Sequence, residues 1–96
     1  MSVTDWLVEH KVADSMFVVD ADGYTAVLAY KLFTNGQGQP AIDFTSTFVP
    51  PELRGKGIAE KLVRAGIQWA TENGYTLQAS CWYVAKFIRG GAKNGN

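Results

Sequence analysis

Residues 48–59 read FVPPELRGKGIA, and an apolar-periodic helix is predicted to continue from them to about Asn73. The two prolines at positions 50 and 51 cannot extend a β-ladder, so they turn the chain out of the preceding strand. The glycines on either side of Lys56 let the backbone direct successive N–H groups toward one point. A helix start adds unpaired N–H groups and the positive end of the helix dipole. The stretch therefore predicts an anion site, for which a diphosphate is a suitable ligand.

The composition indicates one ordinary globular domain that covers residues 1–96. An apolar fraction of 47% with 12% aromatic residues is sufficient for a single core. Nine basic side chains balance nine acidic ones. No global field therefore attracts nucleic acid or an anionic membrane, and we expect neither as a partner. Recognition of an anion must be local.

The cysteine and histidine content bears on compartment and metal binding. A single cysteine cannot form an internal disulfide and fits a reducing compartment. The sequence shows neither a signal peptide nor an apolar run of transmembrane length, so we expect a cytoplasmic protein. We also expect a monomer or a weak dimer. One cysteine and one histidine do not supply a zinc set, and no metal is expected.

Three strands are predicted before the loop. Residues 16–19 form a short apolar run, and Asp22-Gly23 after it is a strong hairpin signal. A second strand follows at Tyr24–Phe33 and a third at Ala41–Val49. Strands joined in this way by turns favour an antiparallel meander. The structure of residues 1–14 is left open.

The helix after the loop carries the clearest periodicity. Ile58, Leu62, Ala65 and Trp69 fall on one apolar stripe, and Asn73-Gly74 is a typical C-terminal stop. Glu60 and Arg64, at i and i+4, are predicted to pair on the outer side.

A fourth strand is predicted at Tyr75–Ala79. A helical crossover between two strands makes a βαβ unit, so the third and fourth strands are expected to be parallel. A short closing helix is predicted at Trp82–Arg89, and residues 90–96 are predicted to be a frayed tail.

The residues of the loop leave two interpretations open. The loop could bind an anion, or it could be only a turn that caps the helix. A P-loop is excluded because Lys56 is followed by Gly57 and not by serine or threonine. A dinucleotide fingerprint fits Gly55 and Gly57 but has Glu60 in place of its third glycine.

The loop resembles the signature of a known superfamily. Arg54-x-x-Gly57-x-Ala59 is similar to the Arg/Gln-x-x-Gly-x-Gly/Ala signature of the GNAT acetyltransferases. The wider pattern, residues 47–57 with residues 81–84 and Phe87-Ile88, resembles the minimal stand-alone proteins of that superfamily, over roughly residues 15–89. The resemblance implies an α/β (α+β) fold with a mixed, mostly antiparallel sheet. It also implies a β-α-β unit that binds acetyl-CoA, one long helix and a short C-terminal helix.

The resemblance implies acetyl-CoA as cosubstrate, with transfer of its acetyl group to an unidentified amine, for which a protein amine is one candidate. Phe48 and Val49 would end the strand whose free main-chain groups pair with the pantetheine arm. The residues around the diphosphate, acting chiefly through backbone N–H groups, would be Arg54, Gly55, Lys56, Gly57, Ile58 and Ala59.

Cys81 and Tyr83, which follow the fourth strand, are the candidate catalytic residues. Cys81 lies near where the family places the acetyl group, and it could accept that group if a helix N-terminus or Lys86 lowered its pKa. Its alternative role is that of a small buried hydrophobe. Tyr83 could act as a general acid toward the coenzyme thiolate, or it could pack as an aromatic side chain under the sheet. The chain departs from its relatives at Ser46, where histidine is common, and at Phe87, where an aromatic hydroxyl is common.

Two other functions remain open beside acetyl transfer. One is a non-catalytic module that binds acyl-CoA or coenzyme A. The other is a small protein-interaction domain that uses its sheet edge and for which the loop is only structural.

Overall fold

The computed structural model of this chain describes residues 7–88 with their side chains and residues 89–93 as backbone. Short 3-10 turns at Val12–Asp14 and Pro51–Leu53 connect some of its elements. The strands and helices, in chain order, are β1 (Glu9–Lys11), β2 (Met16–Ala21), β3 (Tyr24–Thr34), β4 (Pro40–Phe48), α1 (Ile58–Glu72), β5 (Thr76–Ala79) and α2 (Trp82–Lys93).

The five strands form one sheet in the order β1-β2-β3-β4-β5. Neighbouring strands are antiparallel except β4 and β5, which are parallel. The predicted meander, the parallel pair and the α+β class with its mostly antiparallel sheet are thereby confirmed. Strand β1 lies in the segment that the sequence left open, and its three residues pair with β2 from Glu9↔Val18 to Lys11↔Met16.

The boundaries of several elements differ from those predicted. Strands β2 and β3 extend past the predicted residues 19 and 33, to Ala21 and Thr34. Strand β4 ends at Phe48, one residue early, and β5 begins at Thr76, one residue late. Helix α2 continues past the predicted Arg89 to Lys93, so residues 90–93 are helical and do not begin the tail. The rest of the predicted tail, residues 94–96, lies outside the described residues.

A β-bulge in β4 shapes the part of the sheet next to the loop. Ala29 pairs with Ser46 and Tyr30 pairs with Phe44, so Thr45 is an extra residue on β4. A bulge of this kind bends its strand and increases the local twist. Pairing with β5 stops at Phe44↔Ala79. Residues 45–48 of β4 are therefore paired with a strand only on the β3 side, and we call their other side the open edge. On that side the N–H of Thr47 is hydrogen-bonded to the thiol of Cys81.

Helix α1 covers the core face of the sheet. Its predicted stripe is confirmed, with Ile58 and Leu62 buried and Ala65 and Trp69 partly buried. Apolar side chains from four strands meet it, and burying each large side chain of this kind contributes about 1.5–3 kcal/mol. The fully enclosed side chains of this core include Val19, Leu28, Ile42, Phe44, Leu62 and Val63.

Gly66 sets the distance between α1 and the sheet. A Cβ at this position would lie 2.9 Å from Leu28 Cδ2 and 2.9 Å from Phe44 Cε1. We expect Gly66→Val to lower the free energy of unfolding by about 1–3 kcal/mol, because the buried Phe44 ring has little room to move. Urea denaturation measures the change. Gly36→Val is the matched control, since a Cβ at Gly36 has no atom within 4 Å. Equal stabilities of the two variants would contradict the close helix–sheet contact.

His10 anchors β1 to the core face of the sheet. Its ring stacks on Phe17 with centroids 4.1 Å apart and meets Trp69 edge-on at 4.5 Å. Its Nε2 atom lies 2.7 Å from the hydroxyl oxygen of Tyr30. Burial lowers the pKa of His10, as it does for an imidazole whose charged form is poorly solvated.

Candidate functional site

A buried leucine anchors the loop between β4 and α1. Leu53 is 1% exposed, and its N–H donates to Pro50 O at 2.9 Å. The N–H of Arg54 donates to Pro51 O at 3.2 Å and closes the 3-10 turn. The prolines therefore fix a turn, as the sequence predicts. After Arg54 the chain leads into the start of α1.

The two glycines of the loop are required for its backbone conformation. Gly55 and Gly57 both have φ of 80°, and Gly57 is the N-cap residue of α1. This left-handed region costs little for glycine and is strained for residues with a Cβ. A Cβ at either position would have no protein atom within 4 Å, so the space in front of these glycines is open.

The N–H groups at the start of α1 are unpaired within the described part of the chain. Residues 55–60 donate no backbone hydrogen bond to any described acceptor, and the first bond of the helix runs from Lys61 N to Gly57 O at 3.1 Å. Unpaired N–H groups and the positive end of the helix dipole attract an anion to this position. The anion-binding interpretation of the loop requires free donors of this kind, and none of them is paired with a described acceptor.

A cavity of about 200 Å³ lies in front of these N–H groups, and we call it the loop cavity. Its walls come from the end of β4, the loop, the first turn of α1 and the first turn of α2. The lining residues are Val49, Leu53, Arg54, Gly55, Gly57, Ile58, Ala59, Glu60 and Tyr83.

A second cavity of about 320 Å³ shares a wall with the first, and we call it the thiol cavity because Cys81 lines it. It lies beside the open edge of β4. The lining residues are Thr47, Phe48, Val49, Arg54, Ala59, Cys81, Trp82 and Tyr83. The two cavities share Val49, Arg54, Ala59 and Tyr83, so they lie side by side, and we call the pair the slot.

Arg54 lies between the two cavities and is tied to the main chain. Its Nε atom donates to Val49 O at 2.9 Å. This bond occupies the carbonyl of Val49, the residue that follows the end of β4. Lys56 is exposed and lines neither cavity.

A buried carboxylate fixes the point at which the chain leaves the sheet. Asp43, 6% exposed, accepts from Ser80 N at 2.7 Å and from Ser80 Oγ at 2.8 Å. The N–H groups of Ser80 and Cys81 also donate to Phe44 O, at 3.0 and 3.1 Å. These bonds hold Cys81 opposite the bulged part of β4.

Cys81 immediately precedes α2, where its thiol meets the unpaired N–H groups of the first turn. Burial raises the pKa of this thiol. The N–H of Val84, the hydroxyl of Thr47 and the N–H groups of Tyr83 and Thr47 lower it more in sum, so its pKa lies below the ordinary value. The Thr47 hydroxyl oxygen is 3.6 Å from the sulfur. The N–H groups at the N-terminus of α2 therefore lower the pKa of Cys81, as predicted. Lys86, the other candidate cause, is not among the groups that shift the pKa.

Tyr83 is the aromatic side chain that both cavities share. Burial raises the pKa of its hydroxyl, and the negative charge of Glu60 raises it further. Tyr83 therefore holds its proton at neutral pH and above, which is the state that a general acid needs. Tyr83 is also partly buried against the core, so its alternative role as a packed aromatic side chain stays open beside the catalytic one.

The family follows from the sequence comparison. Residues 16–93 match the family model of the GCN5-related N-acetyl-transferase. The chain belongs to this GNAT family. The resemblance stated from the loop signature is therefore confirmed, and this GNAT domain has relatives and a fold neighbour that can be named.

Two relatives of this GNAT domain are vertebrate proteins. Protein NATD1 of Bos taurus is 33% identical over 84 residues, which make up 85% of this chain and 71% of the relative. Protein NATD1 of Homo sapiens is 32% identical over 84 residues, with shares of 85% and 71%.

A solved structure shares the fold of this GNAT domain. It is an aminoglycoside acetyltransferase from an uncultured soil metagenomic sample, in complex with sisomicin. The TM-score is 0.62 at 20% sequence identity, and the match covers 78% of this chain and 54% of the other. The GNAT domain described here therefore spans about half the length of that protein, and the likeness shows the fold.

Three features of the site in this GNAT domain were not predicted. Glu60 forms the predicted ion pair with Arg64 but also lines the loop cavity and acts on Tyr83. Trp82, 71% exposed, lines the thiol cavity. Thr47 lies near the thiol of Cys81. No periodic pattern signals these contacts, because each joins residues that are far apart in the sequence or that belong to different elements.

Two further findings concern metals and membranes. In the part of the chain that the structure describes, no cluster of three or more His, Cys, Asp or Glu side chains is placed to hold a metal ion. Neither α1 nor α2, the two described helices, is long and apolar enough to cross a membrane.

Proposed function

We propose that this chain binds acetyl-CoA and transfers its acetyl group to an amine. The observation that carries the proposal is the set of unpaired N–H groups at residues 55–60, which lie beside a cavity adjacent to a second one at Cys81. The GNAT family generally uses acetyl-CoA as cosubstrate. The donors present here suit a diphosphate, because backbone N–H groups and a helix dipole favour an anion without requiring a large net charge.

Acetyl-CoA supplies its acetyl group as a reactive thioester. The lining of the slot suggests which residues would hold each part of that molecule. The N–H groups of residues 55–60 would donate to the diphosphate. The open edge of β4, at residues 45–48, would lie along the pantetheine arm and offer main-chain hydrogen bonds. The walls of the thiol cavity would enclose the acetyl end and exclude water from it.

Tyr83 and Cys81 have separate roles in this proposal. Tyr83 keeps its proton because burial and Glu60 raise its pKa, and it would deliver that proton to the departing sulfur. Cys81 would line the acetyl end and cap α2, while the amine attacks directly. Transfer through the Cys81 thiol is the competing route, and its lowered pKa makes that route chemically reasonable.

Cys81→Ser decides between the two routes. Serine keeps a cap for α2 but lacks a thiolate. With direct attack by the amine, we expect kcat close to that of the wild type, measured by release of free coenzyme A. Cys81→Ala is the companion variant, and loss of the cap is expected to lower its free energy of unfolding by about 1 kcal/mol. Loss of turnover in the well-folded serine variant would assign the acetyl group to the thiol.

A second candidate function is binding of coenzyme A or its acyl esters without catalysis. One observation favours it: the thiol cavity is lined by no histidine or carboxylate among the described residues, so no side chain there is suited to deprotonate an amine. Catalysis under the first proposal requires the amine to lose its proton to solvent.

Calorimetry and turnover distinguish these functions. We expect saturable binding of acetyl-CoA and coenzyme A in a calorimeter, and release of free coenzyme A when a panel of primary amines is added. Binding without amine-dependent release would leave the non-catalytic module. Absence of binding to either compound would remove both candidates, and the loop would then be only a structural turn.

A further inference from the structure

Lys86 holds its amine over two walls of the thiol cavity. Its Nζ atom lies 5.2 Å from the ring centroid of Trp82 and 5.7 Å from that of Tyr83. Both rings line the thiol cavity together with Cys81. A cation within about 6 Å of an aromatic centroid is attracted by the negative face of the ring. The lysine amine is thus held against two rings that also line the cavity proposed to enclose the acetyl group.

The geometry of α2 directs the Lys86 side chain toward the first turn of that helix. Side chains in an α-helix tilt toward the helix N-terminus, so a long side chain lies over residues three and four positions earlier. For Lys86 those residues are Tyr83 and Trp82. The N-terminus of α2 is also the end at which Cys81 lies. The amine therefore lies toward the end of α2 that follows Cys81.

No carboxylate holds Lys86 in its place within the described part of the chain. The two ion pairs found there join Lys11 to Glu9 and Arg64 to Glu60. Lys86 is exposed, and its contact with two rings is weak enough to break. Its flexible four-carbon side chain can therefore move past these two rings toward the thiol cavity without the loss of a strong bond.

We propose that Lys86 is a site of self-acetylation, at which the chain transfers an acetyl group from acetyl-CoA to its own lysine amine. This inference rests on the proposed binding of acetyl-CoA. The Lys86 ammonium first loses one proton to solvent. Its Nζ then forms a C–N bond to the acetyl carbon, the C–S bond breaks, and the electron pair leaves with sulfur. A second Nζ proton is lost as the amide forms, and the sulfur takes up a proton from Tyr83, which regains one from solvent. The products are Nζ-acetyl-lysine and free coenzyme A.

The test measures acetylation of Lys86 and Lys31 in the same intact chain, by peptide mass spectrometry after incubation with acetyl-CoA. Lys31 is the internal control because it is an exposed lysine on β3 and lines neither cavity. We expect Lys86 to be modified more than about tenfold faster, since a reactant held beside its partner has a high effective concentration. Lys86→Arg should remove the fast modification and Lys31→Arg should not.

Two further readouts establish the route. The rate constant at Lys86 should saturate with acetyl-CoA and should not change with protein concentration, as expected for reaction within one chain. Equal rates at Lys86 and Lys31 would overturn the inference, and so would a rate proportional to protein concentration. Calorimetry on the same samples separates the two proposals. Binding of acetyl-CoA with an unmodified Lys86 contradicts self-acetylation alone, whereas absence of binding contradicts the proposed function as well.

Discussion

Tyr83→Phe is expected to lower kcat for amine acetylation by about a hundredfold, because a well-placed general acid contributes roughly 10²–10⁴-fold to a rate. The substitution removes the hydroxyl and keeps the ring that lines both cavities. Acetyl-CoA affinity should therefore change little. Steady-state kinetics with an amine from the panel, together with calorimetry on the same preparation, measures both quantities. An unchanged kcat would show that the departing sulfur takes its proton from solvent.

The pKa of Tyr83 gives this prediction a second readout. Burial and Glu60 both raise that pKa above its ordinary value of 10.0, so the protonated, active form persists to higher pH than for a free tyrosine. Glu60→Gln removes one of the two causes, and the alkaline fall of kcat should move to lower pH. Arg64→Gln is the matched control, since it breaks the same ion pair but leaves the carboxylate of Glu60 in place. A similar displacement in both variants would contradict the assignment of the alkaline limb to Tyr83.

Gly57→Val is expected to weaken acetyl-CoA binding by about tenfold or more. Valine at a φ of 80° is strained by about 1–3 kcal/mol. The loop can relieve that strain only by turning the N–H groups of residues 55–60 away from one another. Each 1.4 kcal/mol lost from binding corresponds to about a tenfold change in Kd. Calorimetry measures the affinity, and a thermal melt shows whether the fold persists.

Gly23→Val is the matched control for the loop variant. Gly23 has φ of 82° in the hairpin between β2 and β3, and a Cβ there would have no atom within 4 Å. The same strain is therefore introduced far from the slot. We expect Gly23→Val to lose stability and to keep its affinity for acetyl-CoA. Equal affinities for the two glycine variants would show that the loop conformation does not contribute to binding.

The parts of this fold that could be predicted are those specified by neighbouring residues. The prolines at 50 and 51, the glycines at 55 and 57, and the stripe of α1 act within one or two turns of chain. They therefore gave the loop, the helix and the parallel pairing of β4 with β5. Strand β1 could not be predicted, because its three residues, Glu9–Lys11, have no apolar alternation. They are ordered by pairing with β2 and by the contacts of His10.

The candidate site likewise has features that could be predicted from the sequence and features that could not. The loop residues were predicted from their own sequence, and most of them line the slot. The bulge at Thr45 gave no signal, because a bulge depends on the register of the partner strand. The pKa of Tyr83 depends on its burial and on Glu60, which lines the same loop cavity. The position of the Lys86 amine depends on the aromatic rings of α2. Such properties emerge only when the elements are packed together.

A titration followed by amide NMR tests the central claim most directly, because it observes the loop N–H groups themselves. On addition of coenzyme A, the N–H resonances of residues 55–60 should shift in a saturable way. Pantetheine, which lacks the diphosphate, should leave them nearly unchanged while it shifts resonances near the thiol cavity. Loop resonances that stay unchanged at saturating coenzyme A would contradict the claim that these N–H groups hold the diphosphate.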